Sequence, residues 1–352
     1  MTRARRVLHP GVGAALASAI LFGLSTPLAE GLLAGLSPWM LAGLLYLGSG
    51  VVLAVWRFVR RSQGGRLARS EVLPLVGAIG FGGVLAPVML MFGLAGMPAS
   101  GASLLLNAEA VLTVAIAWFV FREHANRRTV AGFALIFAGV LILGWQGQTL
   151  FGGWWPTLAL LGACLGWALD NNLTRAVSSV DATWLAMMKG LVAGTVNLVV
   201  ALVLGSAWPA PLMVAGAVGL GSLSYGVSLV LFIIGLRSVG TARAGAYFST
   251  APFFGGLLAV AMGEAITPLL VVAAVLMAGG VWLHISEHHM HRHTHEAIVH
   301  DHWHVHDEHH RHTHDEPVDA GVRHRHLHVH EPITHEHAHF PDAHHRHRHS
   351  AL

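Results

Sequence analysis

The arginines of this 352-residue chain fall in alternate gaps between long apolar runs, a pattern that constrains the fold more than any other feature. A bilayer core about 30 Å thick is crossed by about 20 apolar residues of helix. Ten runs meet that measure, near residues 12–34, 38–58, 72–94, 99–121, 129–145, 155–175, 182–205, 211–236, 242–262 and 266–285. One set of gaps holds Arg3, Arg5 and Arg6; Arg57, Arg60, Arg61, Arg66 and Arg69; Arg122, Arg127 and Arg128; Arg175; and Arg237 and Arg243. The intervening gaps hold no basic residue. Basic residues near span ends stay in the cytoplasm, so the pattern predicts an inner-membrane protein with both termini cytoplasmic.

Composition agrees, since 54% of residues are hydrophobic and only 11% charged, against about a quarter charged in soluble domains. Lipid leaves no water for free backbone groups, and the ten-residue alternation of barrel strands is absent, so helices are required. The expected fold is all-α and integral to the membrane. Arg3-Ala4-Arg5-Arg6 could open a secretory signal, but the apolar run behind it is longer than a signal core, and it is taken as the first crossing. The lone Cys164 excludes a disulfide framework, and the scattered basic residues form no nucleic-acid patch.

The two halves resemble each other. Gly23-Leu24-Ser25-Thr26-Pro27-Leu28-Ala29-Glu30, followed by Trp39, aligns at an offset of 145 with Ala168-Leu169-Asp170-Asn171-Asn172-Leu173-Thr174-Arg175 and Trp184. Ala108-Glu109-Ala110-Val111 aligns at an offset of 142 with Thr250-Ala251-Pro252-Phe253, and both run on to a glutamate, Glu123 or Glu264. Five spans per half force the second copy to sit upside down relative to the first, the inverted-repeat plan of secondary transporters. The domains expected are a cytoplasmic N-terminus (1–11), a first repeat (12–145), a second repeat (146–285) and a cytoplasmic tail (286–352).

These motifs carry a family resemblance. Leu24-Ser25-Thr26-Pro27, Leu106-Asn107-Ala108-Glu109-Ala110-Val111 running to Arg122-Glu123, and Ala251-Pro252 running to Gly263-Glu264 make the chain resemble the EamA-domain proteins of the drug/metabolite transporter superfamily over about residues 12 to 285. The resemblance implies ten helices in two tandem repeats and says less about substrate. The family often has Glu-Pro where this chain has Glu109-Ala110, so no proline demands a helix break there.

Charges inside hydrocarbon cost about 2.5 to 3.5 kcal/mol each on insertion scales, so those present need an interior role. Glu109 lies near mid-span with Asn107 beside it and is expected to be a proton-coupling group or substrate counter-ion; the alternative is a structural partner for another polar helix. Lys189, the chain's single lysine, lies two turns into the seventh span and either pairs with Glu109 or snorkels to the cytoplasmic side. Asp170, Asn171 and Asn172 stand at the repeat position of Ser25, Thr26 and Pro27; they line the cavity or bond between helices. Tyr247, in the ninth span, joins Ser25 and Thr26 as a candidate substrate contact. Small residues at spacings of four, such as Gly190 and Gly194, let helices approach closely.

Residues 286–352 carry 24 of the 27 histidines. Most alternate with another residue: His291, His293 and His295; His300, His302, His304 and His306; His310, His312 and His314; His324, His326, His328 and His330; His335, His337 and His339; His345, His347 and His349. Residues two apart share a face only in an extended chain, about 6.6 Å apart, so His-x-His there can chelate an ion. With almost no apolar content, the tail is expected to be disordered without metal. Imidazole suits Ni, Co, Zn and Cu(II), and no cysteine is present for a thiolate site. A pH-responsive charge tract competes for the same nitrogens, because six Arg against 11 acids leave −5 with neutral His.

The leading expectation is a secondary transporter exporting a divalent transition metal, with the tail as collector or sensor. A metabolite or amino-acid exporter whose tail only buffers or senses metal is the alternative, and a non-transporting metal sensor the second. No P-loop, nucleophile elbow or metalloprotease motif points to an enzyme or a prosthetic group. Expected partners are the lipid bilayer, a small solute or metal ion, and protons, with a homodimer left open and no nucleic acid.

Overall fold

The structure is a computed structural model. It describes residues 10–62, 67–121, 127–150, 154–175, 177, 181–239, 244, 247–285, 290–294, 298–304, 324–330 and 334–338. The chain divides into a helical unit through Glu287 and a tail unit from His288.

The helical unit runs α1 (Pro10–Gly23), α2 (Ser25–Leu33), α3 (Pro38–Arg60), α4 (Arg69–Ala78), a π-helical segment (Ile79–Leu85), α5 (Ala86–Leu94), α6 (Ala99–Leu105), α7 (Ala108–Phe121) and α8 (Arg127–Leu150). It continues with α9 (Trp155–Arg175), α10 (Ala182–Val203), α11 (Pro211–Gly221), a second π-helical segment (Ser222–Val227), α12 (Ser228–Val239), α13 (Ala251–Ala261) and α14 (Pro268–Ile285). Among the described residues, five stretches are long and apolar enough to cross a bilayer: Pro10–Leu33, Pro38–Arg60, Arg69–Leu94, Ala182–Val203 and Pro211–Gly235. Val130–Leu143, Ala251–Ala261 and Pro268–Leu283 are shorter apolar helices.

Starts and stops follow local chemistry. Ser37 and Asp181 cap α3 and α10 by accepting from Met40 N and Trp184 N, and prolines open α3, α11 and α13, where their missing N–H costs nothing. Many large apolar side chains face outward, among them Phe58, Leu73, Leu212, Leu257 and Val275. Water would penalise such a belt, whereas lipid does not.

Glycine decides how closely α3 packs against α10. A Cβ on Gly190 would lie 2.6 Å from Gly50 N and 2.8 Å from Tyr46 O, and one on Gly194 would lie 2.5 Å from Leu47 N. The opposite side of the same helix meets α11, where a Cβ on Gly221 would lie 2.0 Å from Leu45 O. The main pairings elsewhere are α1 with α12, α5 with α9, α7 with α9, α1 with α13, α6 with α13, and α8 with α14.

At one end of the α3–α10 pair, buried Arg57 donates to Asp181 and, at 2.6 Å, to Thr183 Oγ1. Partial burial pushes the Asp181 carboxyl up, but hydrogen bonds from Thr183 and Trp184 and the Arg57 charge outweigh this and hold it below its ordinary 3.8. A lowered carboxyl stabilises above its unfolded-state value and loses that contribution as pH falls through the folded one. Arg57→Ala should therefore cost about 1–2 kcal/mol at pH 7, discounted for Asp181's partial exposure. Thermal unfolding in detergent should show that gap closing as pH falls below the ordinary carboxyl value and through the lowered one of Asp181.

The tail expectation needs correcting. Over its described residues the backbone forms four strands, β1 (Met290–Thr294), β2 (Ile298–His304), β3 (His324–His330) and β4 (Thr334–Ala338). β1 pairs antiparallel with β4, and β2 with β3. The extended geometry assumed for His-x-His holds there, and the ladder hydrogen bonds replace the expected disorder. His295, His306, His310, His312, His314, His339, His345, His347 and His349 lie outside the described residues.

Candidate functional site

The site begins at a helix break. α6 stops at Leu105 and α7 starts at Ala108, leaving Leu106 and Asn107 between them. No proline causes this. Buried Asn107 turns its Nδ2 back onto Leu104 O at 2.9 Å, a carbonyl at the end of α6 that also accepts from Asn107 N at 3.1 Å, so side chain and backbone close the turn together. Two other breaks use the same three-residue reach: Ser25 Oγ donates to Phe22 O at 2.6 Å between α1 and α2, and Thr250 Oγ1 donates to Tyr247 O at 2.6 Å before α13. Tyr247 thus serves the turn through its carbonyl.

The break puts Glu109 in the first turn of α7, where the helix dipole favours negative charge. Glu109 is half-buried. Its Oε1 accepts from Asn171 Nδ2 at 2.9 Å, and Asn171 also reaches Thr113 Oγ1 at 3.4 Å. Buried Asn172 braces the same helix pair, donating to Thr113 O at 3.2 Å and to Ala168 O at 2.8 Å.

Lys189 does not pair with Glu109. Its Nζ donates to Asp170 Oδ1 and, at 2.8 Å, to Thr174 Oγ1, which itself donates to Asp170 at 2.8 Å. α9 and α10 both pack against the π-helical segment Ile79–Leu85, and across it Lys189 reaches Asp170, so the lysine ends in an ion pair instead of snorkelling. Removing one member of a buried pair strands the other and costs about 3–5 kcal/mol. With both side chains slightly exposed, at 17% and 12%, Lys189→Met should cost about 3 kcal/mol in detergent unfolding. Adding Asp170→Asn should restore much of it.

The π segment shapes the next wall. Its wider turn carries Ala86 N–H onto Phe81 O, five residues back, and leaves neighbouring carbonyls for side chains. Gly82 O accepts from Tyr46 OH at 2.9 Å and from Trp167 Nε1 at 3.0 Å, while Gly83 O accepts from Asn197 at 3.3 Å. A Cβ on Gly82 would lie 2.1 Å from Asp170 Oδ2, so only glycine lets that carboxylate sit there. Tyr46 also stacks 5.7 Å from Tyr225, which meets Phe22 edge-on at 5.5 Å. Phe248 lies 5.3 Å from Phe22.

Asp170 and Asn171 therefore form a polar row on α9, reached by Glu109 from α7 and by Lys189 from α10, and Asn107 and Asn172 bond to the surrounding backbone. Buried Ser25 and Thr26 belong to the junction of α2 with α13, where a Cβ on Gly23 would lie 2.1 Å from Ala251 O. The aromatic wall was not among the residues expected from sequence. Its one signal was scarcity: the chain has three tyrosines, and two of them meet here. Among the described residues, no three His, Cys, Asp or Glu side chains are grouped to hold a metal ion.

An outward apolar belt, apolar helices interrupted by short breaks and a carboxylate at one break define an α-helical membrane protein built like a secondary transporter. Family comparison makes this specific. The EamA-like transporter family model matches twice, over residues 9–145 and 154–286, and the chain belongs to that family. An "Uncharacterized transporter" of Methanothermobacter thermautotrophicus is 26% identical over 294 residues, covering 78% of this chain and 85% of the relative. Each "Probable amino-acid metabolite efflux pump" of Salmonella typhimurium and Escherichia coli matches a shorter stretch, 41% identical over 86 residues and 38% over 88, or 28% of either pump. A solved crystal structure shares the fold with a TM-score of 0.57 at 22% identity, covering 77% of this chain and 95% of its own.

Proposed function

We propose that the protein exports a small organic solute bearing an amine, by alternating access between two inverted five-helix halves, with Glu109 as the coupling carboxylate. The observation that carries this reading is Glu109 itself, set in the first turn of α7 just after the break at Leu106 and Asn107, and bonded to Asn171. An amine would find a carboxylate there, with aromatic faces of Tyr46 and Trp167 nearby for cation–π contact. A proton and a cationic substrate would compete for the same oxygens, which couples their movement.

The inverted halves draw support from three directions. The family model matches once in each half. The π segments begin at Ile79 and Ser222, 143 residues apart, and the turns before α7 and α13 keep the same spacing. Exchanging the halves also maps the α1–α12 pairing onto α9–α5, and α7–α9 onto α13–α1. Ten crossings, an inner-membrane location and cytoplasmic termini follow the arginine alternation.

The reading departs from the metal cargo that the histidines first suggested. Asp170 is engaged by Lys189 and Thr174, which leaves Glu109 to receive a substrate. Metal export stands as the second reading, favoured by the tail, whose role in the first is to bind divalent ions as a buffer or sensor. Proteoliposomes loaded with labelled amino acids, Ni, Co or Zn at two internal pH values separate the two. Organic-solute flux that follows the pH gradient and survives deletion of 286–352 is expected; flux of metal alone would replace this reading with the second.

A further inference from the structure

Arginines at the end of α3 and the start of α4 divide between two directions. Arg57 turns inward to Asp181 and Thr183, whereas Arg60 and Arg61, one turn further along α3, and Arg69, which opens α4, are exposed. Both helix ends sit against the start of α10: Arg57 reaches Asp181 there, and Leu67 packs with Trp184 against the cluster of Leu75, Val177 and Leu185. Three exposed guanidinium groups therefore share one end of the helical unit.

Two of them stand where local chemistry opposes them. Arg61 ends α3 in the left-handed region at φ 48°, the one non-glycine residue with positive φ among those described. Glycine usually takes that place, because a Cβ there crowds the following carbonyl. Arg69 is the first residue of α4, where the helix dipole disfavours a cation. Glu71, the acid nearest to it in sequence, is buried and accepts from Ala68 N at 2.9 Å. Among the described residues no carboxylate pairs with Arg61 or Arg69. A bias of arginine toward one side of the bilayer accounts for the charges, but it demands neither a left-handed backbone nor a cation at a helix start. Arg60 completes the group, its guanidinium 4.8 Å over the Trp56 ring, a cation–π contact that uses none of its five N–H donors.

We propose that Arg60, Arg61 and Arg69 form a headgroup site for an anionic phospholipid whose acyl chains lie against the apolar side chains beside them. Phe58 and Val59 precede the arginines of α3 and are 85% and 72% exposed, and Leu73, one turn after Arg69, is 80% exposed. Phosphate oxygens accept paired N–H bonds from guanidinium groups, and acyl chains cover apolar surface that water would penalise. Free phosphate would use the arginines and leave that surface bare; a lipid uses both. Basic clusters at a membrane surface attract anionic lipid in this way. Binding offsets the unfavourable settings of Arg61 and Arg69, and it steadies the end of α3 one turn from the Arg57 bond to α10.

The test takes full-length protein stripped of lipid in neutral detergent and adds phosphatidylglycerol, phosphatidylcholine or inorganic phosphate. Native mass spectrometry counts bound lipid, and thermal unfolding reads stability. Intact protein should retain phosphatidylglycerol over phosphatidylcholine by about tenfold or more, gain unfolding temperature from phosphatidylglycerol and gain none from inorganic phosphate. R60Q/R61Q/R69Q should lose that preference, whereas R3Q/R5Q/R6Q, an equal change of charge, should keep it. R61G separates the site from a structural role: with no Cβ it should match or exceed intact protein in plain detergent, yet gain less from phosphatidylglycerol. Equal losses in the two triple variants, a gain from inorganic phosphate as large as that from lipid, or an R61G response equal to that of intact protein would overturn the site.

Discussion

Glu109→Gln should reduce proton-coupled solute flux to the level of protein-free vesicles. The glutamine keeps the size of the side chain and can still face Asn171, so the helix break and its packing should persist. What it loses is the charge. A hydrogen bond to a charged group contributes about 1.5–3 kcal/mol, roughly 10- to 100-fold in affinity, and the amine of the substrate forfeits that directly. In the proposed coupling the proton then has no acceptor at residue 109, so solute movement should also stop responding to an imposed pH gradient. Flux assays in proteoliposomes, with and without the gradient, measure both effects. Flux that keeps its pH dependence in the glutamine variant would move the coupling role away from this residue. Unaltered thermal unfolding of the purified variant would show that the loss is functional.

Gly190→Val should produce the largest loss of stability. The atoms its new Cβ would meet are Gly50 N, Gly50 Cα and Tyr46 O, all backbone and all within 2.8 Å. A flexible side chain could swing aside, but a helix backbone cannot. α3 and α10 would have to separate, which also disturbs α11 on the far side of α3 and the Tyr46 bond to Gly82. Overpacking usually costs about 1–3 kcal/mol, and with no soft neighbour the expected loss is at the top of that range or beyond. Unfolding temperature and the monodisperse fraction on size-exclusion chromatography in detergent should both drop. Gly219→Ala is the control, because nothing lies within 4 Å of its Cβ position; it should be neutral or slightly stabilising, as alanine favours helix over glycine.

Much of the candidate site was visible in the sequence because a charge in an apolar run is conspicuous. Glu109, Asp170 and Lys189 stand out by depth alone, whatever the helices do. Their partners do not. Lys189 has two carboxylates within plausible reach in sequence, and its pairing with Asp170 depends on how α9 and α10 each seat against the π segment, where Gly82 meets Asp170 and Gly83 meets Ala193. The break before Glu109 was equally hidden, since the proline that commonly marks such a turn is absent and Asn107 does its part by bonding to a carbonyl three residues back. Tyr46 and Trp167 lie 121 positions apart, and they meet only because the π segment offers both the Gly82 carbonyl.

By itself the sequence determined what local chemistry can determine. The apolar runs required membrane helices, their arginine-marked gaps predicted an orientation, the internal likeness pointed to two copies of one unit, and alternation in the tail put its histidines on one face of an extended chain. Tertiary structure alone decided which polar groups meet, where the helices open and which strand opposes which. The reason is physical: hydropathy and periodicity act over a few residues and survive any packing, whereas a hydrogen bond between helices exists only once rotation, depth and close approach have been fixed by contacts far apart in the chain.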